Sequence, residues 1–139
     1  MYKVEAIVRE DKYEDVQDAL KVIHVNGMTI SQVMGCGTNQ GYSRTVRGRK
    51  MDILVTPKIK FEIVVSSLDW ADRTVAAIRN AAYTGQHGDG KIFVYELNNV
   101  VRIRTNEQGI KAVWDEDQYN DSGEKIKYCL LYTSPSPRD

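Results

Sequence analysis

The chain has 139 residues, which is enough for one domain with a sizeable core and too few for two. Its 19 lysines and arginines balance 19 aspartates and glutamates, so no overall charge favours nucleic acid or a membrane surface as the main partner. Cys36 and Cys129 do not have CxxC spacing, and no stretch approaches the roughly 20 apolar residues of a membrane helix, so we expect a cytoplasmic protein without direct membrane insertion.

The first part of the chain predicts a strand, a helix and a second strand. Residues 2–8 alternate between two faces, as a half-buried strand does. Residues 10–23 place apolar side chains at helical spacing behind acidic first turns, and Asn26-Gly27 is a good helix stop. Residues 28–34 alternate again, and Gly35-Cys36-Gly37 is expected to end this second strand.

Residues 38–56 show little periodicity and are expected to form a long exposed loop. The loop is basic, because it contains Arg44, Arg47, Arg49 and Lys50 against only Asp52. Loops of this length inside a domain are usually functional or disordered. The alternative is the flexible tip of a hairpin.

The second part of the chain again predicts a strand, a helix and a strand. A strand of residues 58–65 begins after Pro57, a helix follows the capping residues 66–69, residues 92–97 form a fourth strand, and residues 100–105 form a short fifth one. The apolar face of residues 59–65 is unbroken, which makes this strand the clearest in the chain.

The order β-α-β-β-α-β is that of the ferredoxin-like α+β fold, in which two helices cover one face of a four-stranded antiparallel sheet. The other face stays bare, and its expected apolar positions Ile7, Ile30 and Val64 predict a homo-oligomer. Symmetric closure around that face would let the loops of neighbouring subunits share a site.

A glycine-dense loop lies between the second helix and the fourth strand. Gly85, Gly88 and Gly90 permit backbone angles that other residues avoid, so consecutive N–H groups can turn toward one anion, and Lys91 adds a positive charge. The loop is neither a Walker loop nor a Rossmann fingerprint. Taken alone, these residues fit a phosphate-binding loop or a glycine-rich turn with an ordinary surface lysine.

Two arginines downstream favour the phosphate interpretation. Arg102 and Arg104 are expected on one face of the fifth strand, where they repel each other unless an anion lies between them. By itself, the pair is also compatible with an exposed edge strand. Together with Lys91 and the glycine loop, it predicts a polyphosphate site.

The pattern weakens after residue 105. We expect one domain over residues 1–109 and a C-terminal extension over residues 110–139, with an acidic cluster around Asp115. Residues 132–139 have the composition of disorder and resemble translated vector or adapter sequence, so no functional argument uses them.

Several separated motifs resemble those of the PII nitrogen regulatory signalling proteins. Residues 84–94 resemble the B-loop of that family and the strand after it, residues 101–105 its C-loop, and residues 57–65 the strand after its T-loop. Gly27-Met28-Thr29 and Gly35-Cys36-Gly37 also occur where the family has them. With this order and spacing of motifs, residues 2 to 109 are similar to the family as a whole.

The resemblance implies a non-catalytic trimer that binds ATP or ADP in clefts between subunits. By this resemblance, the phosphates would be held by Gly88, Asp89, Gly90, Lys91, Arg102 and Arg104. The rest of the nucleotide site would be formed by Ile7, Thr29, Gly35, Cys36, Gly37, Thr38 and Val64, with Thr38 in place of a frequent family arginine.

Members of the family also bind 2-oxoglutarate beside a Mg²⁺ ion that the ATP phosphates hold. The resemblance assigns this site to Lys58 and to Asn39, which stands where the family has a glutamine. Asn39 keeps an amide oxygen for Mg²⁺ but is one methylene shorter, so the site is compatible with 2-oxoglutarate without requiring it.

In the family, the long loop docks to partner proteins. The corresponding residues here are Ser43, Arg44, Arg47, Arg49, Lys50 and Met51. The resemblance implies that the partner is an ammonium channel, glutamine synthetase or another regulator of nitrogen metabolism. Met51 stands where some members carry a tyrosine that is uridylylated, so we predict no uridylylation at this position.

A slow ATP-hydrolysing enzyme is the main alternative. Lys58 or Asp89 would then lie near the phosphates. The chain shows no convincing acid/base pair, however, and His24 and His87 are isolated in the sequence.

A third class of function is nucleic-acid binding through the open face of the sheet. Such modules need stacking aromatic side chains on that face. The residues expected there, Ile7, Thr29 and Val64, do not supply them.

Overall fold

The computed structural model describes residues 1–38, 44–46, 49–51 and 53–113 of the chain. In chain order, the elements are β1 (Tyr2–Arg9), a 3₁₀ turn (Glu10–Lys12), α1 (Tyr13–Val22), β2 (Thr29–Thr38), β3 (Arg44–Val46), β4 (Arg49–Met51), β5 (Ile53–Val65), α2 (Leu68–Ala82), β6 (Gly90–Glu96) and α3 (Ile110–Val113). None of the helices in these ranges is long and apolar enough to cross a membrane. The expectations about the acidic cluster and the tail concern residues 114–139, which lie outside the described residues.

The main sheet contains four strands in the order β2-β5-β1-β6, and every neighbouring pair is antiparallel. α1 connects β1 to β2, and α2 connects β5 to β6. Apolar residues of both helices share one core with alternate residues of the strands, so the two helices cover the same face. This arrangement confirms the predicted ferredoxin-like α+β fold.

The core forms because apolar side chains alternate along the strands. Val4 and Ala6 of β1 are fully buried, and Ala6 pairs with Phe61 of β5. The ring of Phe61 stacks on that of Tyr13, with the centroids 6.0 Å apart. α1 adds the fully buried Leu20 from the apolar stripe that its helical spacing predicts.

Helix α2 lies where the capping residues and the apolar pattern predict it. The side chain of its N-cap residue, Ser67, accepts a hydrogen bond from the backbone N–H of Trp70 at 3.2 Å. Trp70, Ile78 and Ala82 are buried on the predicted face. Because α2 ends at Ala82, its packing on the sheet sets the position at which the glycine-dense loop begins.

The second strand is longer than predicted. Gly35 and Gly37 do not end β2, which continues to Thr38 and pairs with β5 from Ile53 onward. A Cβ atom on Gly35 would lie 3.2 Å from Cγ of Lys58. The glycine therefore makes room for a side chain of the adjacent strand and does not interrupt its own strand.

The strand after the loop starts earlier than predicted, at Ile53. Pro57 precedes Lys58, the first residue of β5 that pairs with β1, so one edge of β5 is open at Pro57 and a residue without an N–H is tolerated. β2 and β5 therefore leave the main sheet together as a two-stranded ribbon. β3 and β4 pair with each other beyond it, so the predicted loop of residues 38–56 contains paired β structure.

The predicted fifth strand does not form. In the described part of the chain, the only pairing of this segment is a single bridge between Val101 and Gln108. The backbone N–H of Arg102 donates to the carbonyl of Glu107 at 2.9 Å, and the N–H of Asn106 donates to the carbonyl of Arg102 at 2.8 Å, so the chain turns back on itself. The alternating side chains of residues 100–105 do not suffice to form a strand, because a strand also needs a neighbouring strand to pair with along its length.

The sheet face opposite the helices differs from the prediction in two respects. Ile30 does not lie on it, because Ile30 pairs with Phe61 and packs against the core. Phe93 and Tyr95 of β6 do lie on it, with exposed fractions of 40% and 45%. The open face therefore has aromatic side chains that the sequence analysis overlooked.

Charged side chains share this open face. Nζ of Lys3 lies 2.6 Å from a carboxylate oxygen of Glu62 and 3.8 Å from one of Glu5, and the ammonium also lies over the ring of Tyr95. The hydrogen bond between Lys3 and Glu62 raises the pKa of the lysine and lowers the pKa of the glutamate. The open face is therefore aromatic and charged, with opposite charges paired within the subunit.

Replacing Gly90 with alanine should destabilise the protein by at least about 2 kcal/mol. Gly90 has a φ angle of +102°, and an added Cβ atom would lie 1.7 Å from the carbonyl oxygen of Ile7 on β1. Gly37→Ala is the matched control, because nothing lies within 4 Å of the Cβ atom it adds. Urea denaturation of both variants measures the difference, and equal midpoints would contradict the prediction.

Candidate anion-binding site

The glycine-dense loop connects the end of α2 to the start of β6. Gly85, Gly88 and Gly90 have φ angles of +86°, +97° and +102°, in the left-handed region that favours glycine. These angles confirm the conformational role predicted for the three glycines.

The carboxylate of Asp89 organises the loop from inside. Its Oδ2 accepts hydrogen bonds from the backbone N–H groups of Thr84 at 2.8 Å and Gly85 at 2.9 Å, and its Oδ1 accepts one from the Thr84 hydroxyl. Nε of Arg9 donates to the same Oδ1 at 2.8 Å. The Thr84 hydroxyl, the Arg9 guanidinium and the two N–H groups hold the pKa of Asp89 well below its usual range. Asp89 therefore stays ionised at neutral pH and closes the loop.

Asp89 thus differs from the other residues assigned to the phosphates. Its carboxylate is negative and already has four donors, so the side chain cannot attract a phosphate. What Asp89 can offer an anion is its backbone N–H, next to that of Gly90.

Two cations from neighbouring strands contact the loop. Arg9, the last residue of β1, and Lys58 of β5 are cross-strand partners. Nη2 of Arg9 donates to the carbonyl oxygen of His87 at 2.7 Å, and Nζ of Lys58 donates to that of Gly88 at 2.5 Å. Lys58 is one of the residues predicted from the sequence, whereas Arg9 is not. The alternation along β1, which puts every second residue on the open face, is the signal that indicates Arg9.

A pocket lies beside the loop, where α2 meets the edge of the sheet. Its lining includes Ile7, Asp89, Gly90 and Lys91, together with Ile78, Arg79 and Ala82 of α2 and Tyr83, which follows that helix. Four of the residues assigned to nucleotide binding therefore share one pocket. The side chain of Lys91 is exposed, so its ammonium is accessible to an anion.

The glycines of β2 lie on the ribbon beside Lys58. Gly35 and Gly37 alternate with Cys36, so their open sides share one ribbon face and the Cys36 side chain points to the other. Cys36 is exposed, and only its backbone can join a site on the glycine side. Thr38 follows as the last residue of β2.

Four assigned residues lie at the opposite end of the sheet. Thr29 begins β2, Val64 is the second-last residue of β5, and Arg102 and Arg104 follow the end of β6. The glycine loop precedes β6 and the arginines follow it, and the seven residues of this strand span roughly 20 Å at about 3.3 Å per residue. Within one chain, the assigned phosphate contacts therefore form two separate groups, contrary to the single unit that the sequence predicts.

The two arginines also differ from each other, although the sequence predicts that they share a strand face. The side chain of Arg102 is 12% exposed, its Nε lies 3.5 Å from a carboxylate oxygen of Glu107, and its Nη2 donates to the carbonyl of Lys111 at 3.1 Å. Arg104 is exposed. The turn that replaces the fifth strand is the reason, because it folds Arg102 back against the short helix α3.

The residues assigned to partner docking are only partly described. Arg44 lies in β3, and Arg49, Lys50 and Met51 lie in β4. Ser43 and Arg47 lie outside the described residues, as does Asn39, which was assigned to 2-oxoglutarate and Mg²⁺. Over the described ranges, no group of three or more His, Cys, Asp or Glu side chains is placed to hold a metal ion.

The fold and the loop define a ferredoxin-like domain with a basic, glycine-rich loop and a long β ribbon at one end of its sheet. The model of the family described as "Nitrogen regulatory protein P-II" matches residues 1–107, and the chain belongs to this family. Membership makes the chain a signalling protein of nitrogen regulation.

Individual relatives agree with this assignment. Nitrogen regulatory protein P-II 1 of Methanothermobacter thermautotrophicus is 48% identical over 113 residues, which cover 81% of this chain and 97% of that protein. Nitrogen regulatory protein P-II of Pasteurella multocida is 41% identical and is covered over its full length, with 81% of this chain. The solved structure of B. subtilis GlnK has a TM-score of 0.66 and 39% identity, over 80% of this chain and 96% of that one. The resemblance inferred from the motifs is confirmed.

Replacing Asp89 with asparagine should loosen the loop without unfolding the domain. Asparagine has no charge to pair with Arg9 and has one acceptor oxygen where aspartate has two. Amide hydrogen exchange of Thr84 and Gly85 should become faster, while exchange of core amides such as that of Phe61 should stay as in the wild type.

The difference in unfolding free energy between wild type and Asp89→Asn should depend on pH in a direction that the pKa of Asp89 sets. The folded-state pKa of Asp89 is lowered, so its carboxylate contributes stability that is present above its unfolded pKa of about 3.9 and is lost as the pH falls through the folded-state value. The difference in unfolding free energy between wild type and Asp89→Asn should therefore be constant from about pH 7 to about pH 5. A difference that disappears within that interval would contradict the assignment.

Proposed function

We propose that the protein is a non-catalytic homotrimeric sensor that binds ATP or ADP between subunits and regulates a nitrogen-metabolism partner through its ribbon and loop. The observation that carries the proposal is the division of the assigned site residues between the two ends of the sheet. A second copy that presents its Arg102 end to the glycine loop of the first would bring Lys91 and both arginines to one polyphosphate.

The glycine loop would supply the phosphate-binding half of this site. Its left-handed glycines allow neighbouring backbone N–H groups to turn toward one anion. Arg9, Lys58 and Lys91 surround the loop with three positive charges, and Asp89 offsets only one of them. The local field therefore favours a polyanion, although the chain as a whole is neutral.

The open sheet face would be the surface buried in the trimer. Its exposed Phe93, Tyr95 and Val64 offer apolar contact area, and the ion pair of Lys3 with Glu62 neutralises charge within the subunit before burial. The same burial would occupy the aromatic side chains that could stack on bases. We therefore assign this face to self-association and not to nucleic acid.

Lys58 would also serve a site for 2-oxoglutarate next to ATP and Mg²⁺. Its ammonium now contacts the neutral carbonyl of Gly88 and would gain a stronger, charge-assisted bond from a carboxylate. Asn39 would offer its amide oxygen to Mg²⁺.

The chemistry of the loop favours a sensor over a slow ATP-hydrolysing enzyme. A general base needs a free lone pair and a pKa near the working pH. The carboxylate of Asp89 accepts four hydrogen bonds and has a lowered pKa, so it is a poor base for activating water.

The ribbon would connect the ligand site to the partner. β2 and β5 extend from the loop end of the sheet toward β3 and β4, which include Arg44, Arg49 and Lys50. Nucleotides that favour different ribbon conformations would shift the affinity for an ammonium channel, glutamine synthetase or another cytoplasmic regulator of nitrogen metabolism.

Calorimetric titration of the purified protein with ATP and Mg²⁺ tests the proposal. The wild type should bind ATP, and Lys91→Ala should bind it about tenfold to hundredfold more weakly, because a charge-assisted phosphate contact contributes roughly 1.5–3 kcal/mol. Lys21→Ala, which removes an exposed lysine of α1, is the matched control. Unchanged affinity in Lys91→Ala would remove that residue from the site, and a wild type that binds no ATP would overturn the proposal.

The same titration with 2-oxoglutarate present extends the test. Tighter ATP binding is expected, because the Mg²⁺ ion that the ATP phosphates hold would also ligate 2-oxoglutarate, and the resulting gain in affinity is reciprocal. An unchanged ATP affinity would limit the function to adenylate sensing.

Deleting residues 43–52 should abolish partner docking but leave the trimer and ATP binding largely intact. The core does not need this segment, since β2 and β5 stay paired up to Thr38 and Ile53. Sedimentation should give three times the chain mass, which is 15.8 kDa for the wild type, and purified glutamine synthetase can report docking. A deletion variant that unfolds would show that the segment is structural.

A further inference from the structure

Arg9 and Lys58 hold the glycine loop in different ways. Arg9 contacts two acceptors, the ionised carboxylate of Asp89 at 2.8 Å and the carbonyl of His87 at 2.7 Å. Among the described residues, Lys58 contacts one acceptor, the neutral carbonyl of Gly88 at 2.5 Å. A planar guanidinium on two acceptors, one of them charged, is harder to displace than an ammonium on one neutral acceptor.

An anion that binds at the loop therefore competes with a carboxylate for Arg9 but only with a carbonyl oxygen for Lys58. To bind the Arg9 guanidinium, the anion must replace the Asp89 carboxylate, which the N–H groups of the loop hold in place. To take Lys58, it must replace only a carbonyl oxygen, and a phosphate oxygen is the stronger acceptor. Gly88 is exposed, so water can bond to its carbonyl once the lysine leaves, and no buried polar group loses its partner.

We propose that Lys58 is an exchangeable latch on the glycine loop and that Arg9 is the positioning residue that stays bound. In the structure, the Lys58 ammonium donates to the Gly88 carbonyl. A phosphate of ATP takes over the ammonium, while Arg9 keeps the loop in place through Asp89 and His87. The inference rests on the proposed function, which supplies the phosphate.

The aliphatic stem of Lys58 connects this latch to the ribbon. A Cβ atom on Gly35 would lie 3.2 Å from Cγ and 3.5 Å from Cε of Lys58, so the stem passes directly over β2 at that glycine. Gly35 pairs with Thr56 where the ribbon leaves the main sheet. A new direction of the Lys58 side chain therefore changes a contact at the base of the ribbon, which links ligand binding to the partner-docking segment.

Carbonyl-carbon NMR of the labelled full chain tests the exchange. Saturating ATP with Mg²⁺ should move the Gly88 carbonyl resonance of the wild type. Ligand-free Lys58→Met, which keeps an unbranched stem but has no ammonium, should already show a shift in the same direction, and ATP should then add less than half of the wild-type change. The His87 carbonyl is the internal control and should move little, because Arg9 remains bound.

Two substitutions of Arg9 distinguish its role in positioning the loop from the effect of its positive charge on ATP binding. Arg9→Met should speed amide exchange of Thr84 and Gly85 and weaken ATP binding about tenfold. Arg9→Lys keeps the charge but cannot contact both acceptors, so it should recover less than half of the lost affinity. Unaltered exchange at Thr84 and Gly85 in Arg9→Met would contradict the positioning role.

The outcomes distinguish the latch from the proposed function. The latch is overturned if Gly88 has the same carbonyl resonance in ligand-free wild type and Lys58→Met. It is also overturned if calorimetry of the same sample shows ATP binding that leaves the Gly88 resonance in place, and the proposed function then survives. A wild type that binds no ATP overturns the proposed function and the exchange with it.

Discussion

The carboxylate of Asp89 is the constraint on which the candidate site depends. One ionised group accepts from two backbone N–H groups, a hydroxyl and a guanidinium, and so closes the chain between α2 and β6. The direction of the Gly88 carbonyl toward Lys58 and the close approach of Gly90 to β1 belong to the same loop conformation. Because all four donors favour the ionised form, the loop keeps this organising charge at neutral pH.

The antiparallel sheet has a second consequence for the site. Antiparallel strands place successive connections at opposite ends of a sheet, so the loop before β6 and the turn after it are a full strand apart. A polyphosphate that needs contacts from both ends has to bind more than one copy of the chain. Ligand binding and association are therefore interdependent in the proposed trimer, and each stabilises the other by mass action. The ribbon starts at the loop end of the sheet, where Lys58 contacts the glycine loop.

Sequence patterns predicted the secondary structure correctly where the spacing of apolar residues matches the buried face. They predicted it wrongly where the same local pattern is compatible with two conformations. β1 and α2 were predicted well, because an apolar stripe of one period can be buried in only one way. A glycine at position 35 predicts the end of a strand, yet Gly35 makes room for the stem of Lys58 within the strand. The alternation around Arg102 is compatible with a strand, but within the described residues this segment makes a single bridge and otherwise forms a turn. The alternation of β1 predicts the sheet face of Arg9, but no local pattern shows that this strand ends beside the glycine loop.

By itself, the sequence determined the order of the elements, the side chains that face the core, and the need for glycine at positions 85, 88 and 90. It also contained the motifs that identify the family. These properties depend on the side-chain period and the backbone sterics of each short segment. Only the tertiary structure decided that Asp89 closes the loop, that Arg9 and Lys58 meet there, and that Arg102 folds back in a turn after β6. These arrangements depend on strand register and on distances between residues far apart in the chain, which no local pattern specifies.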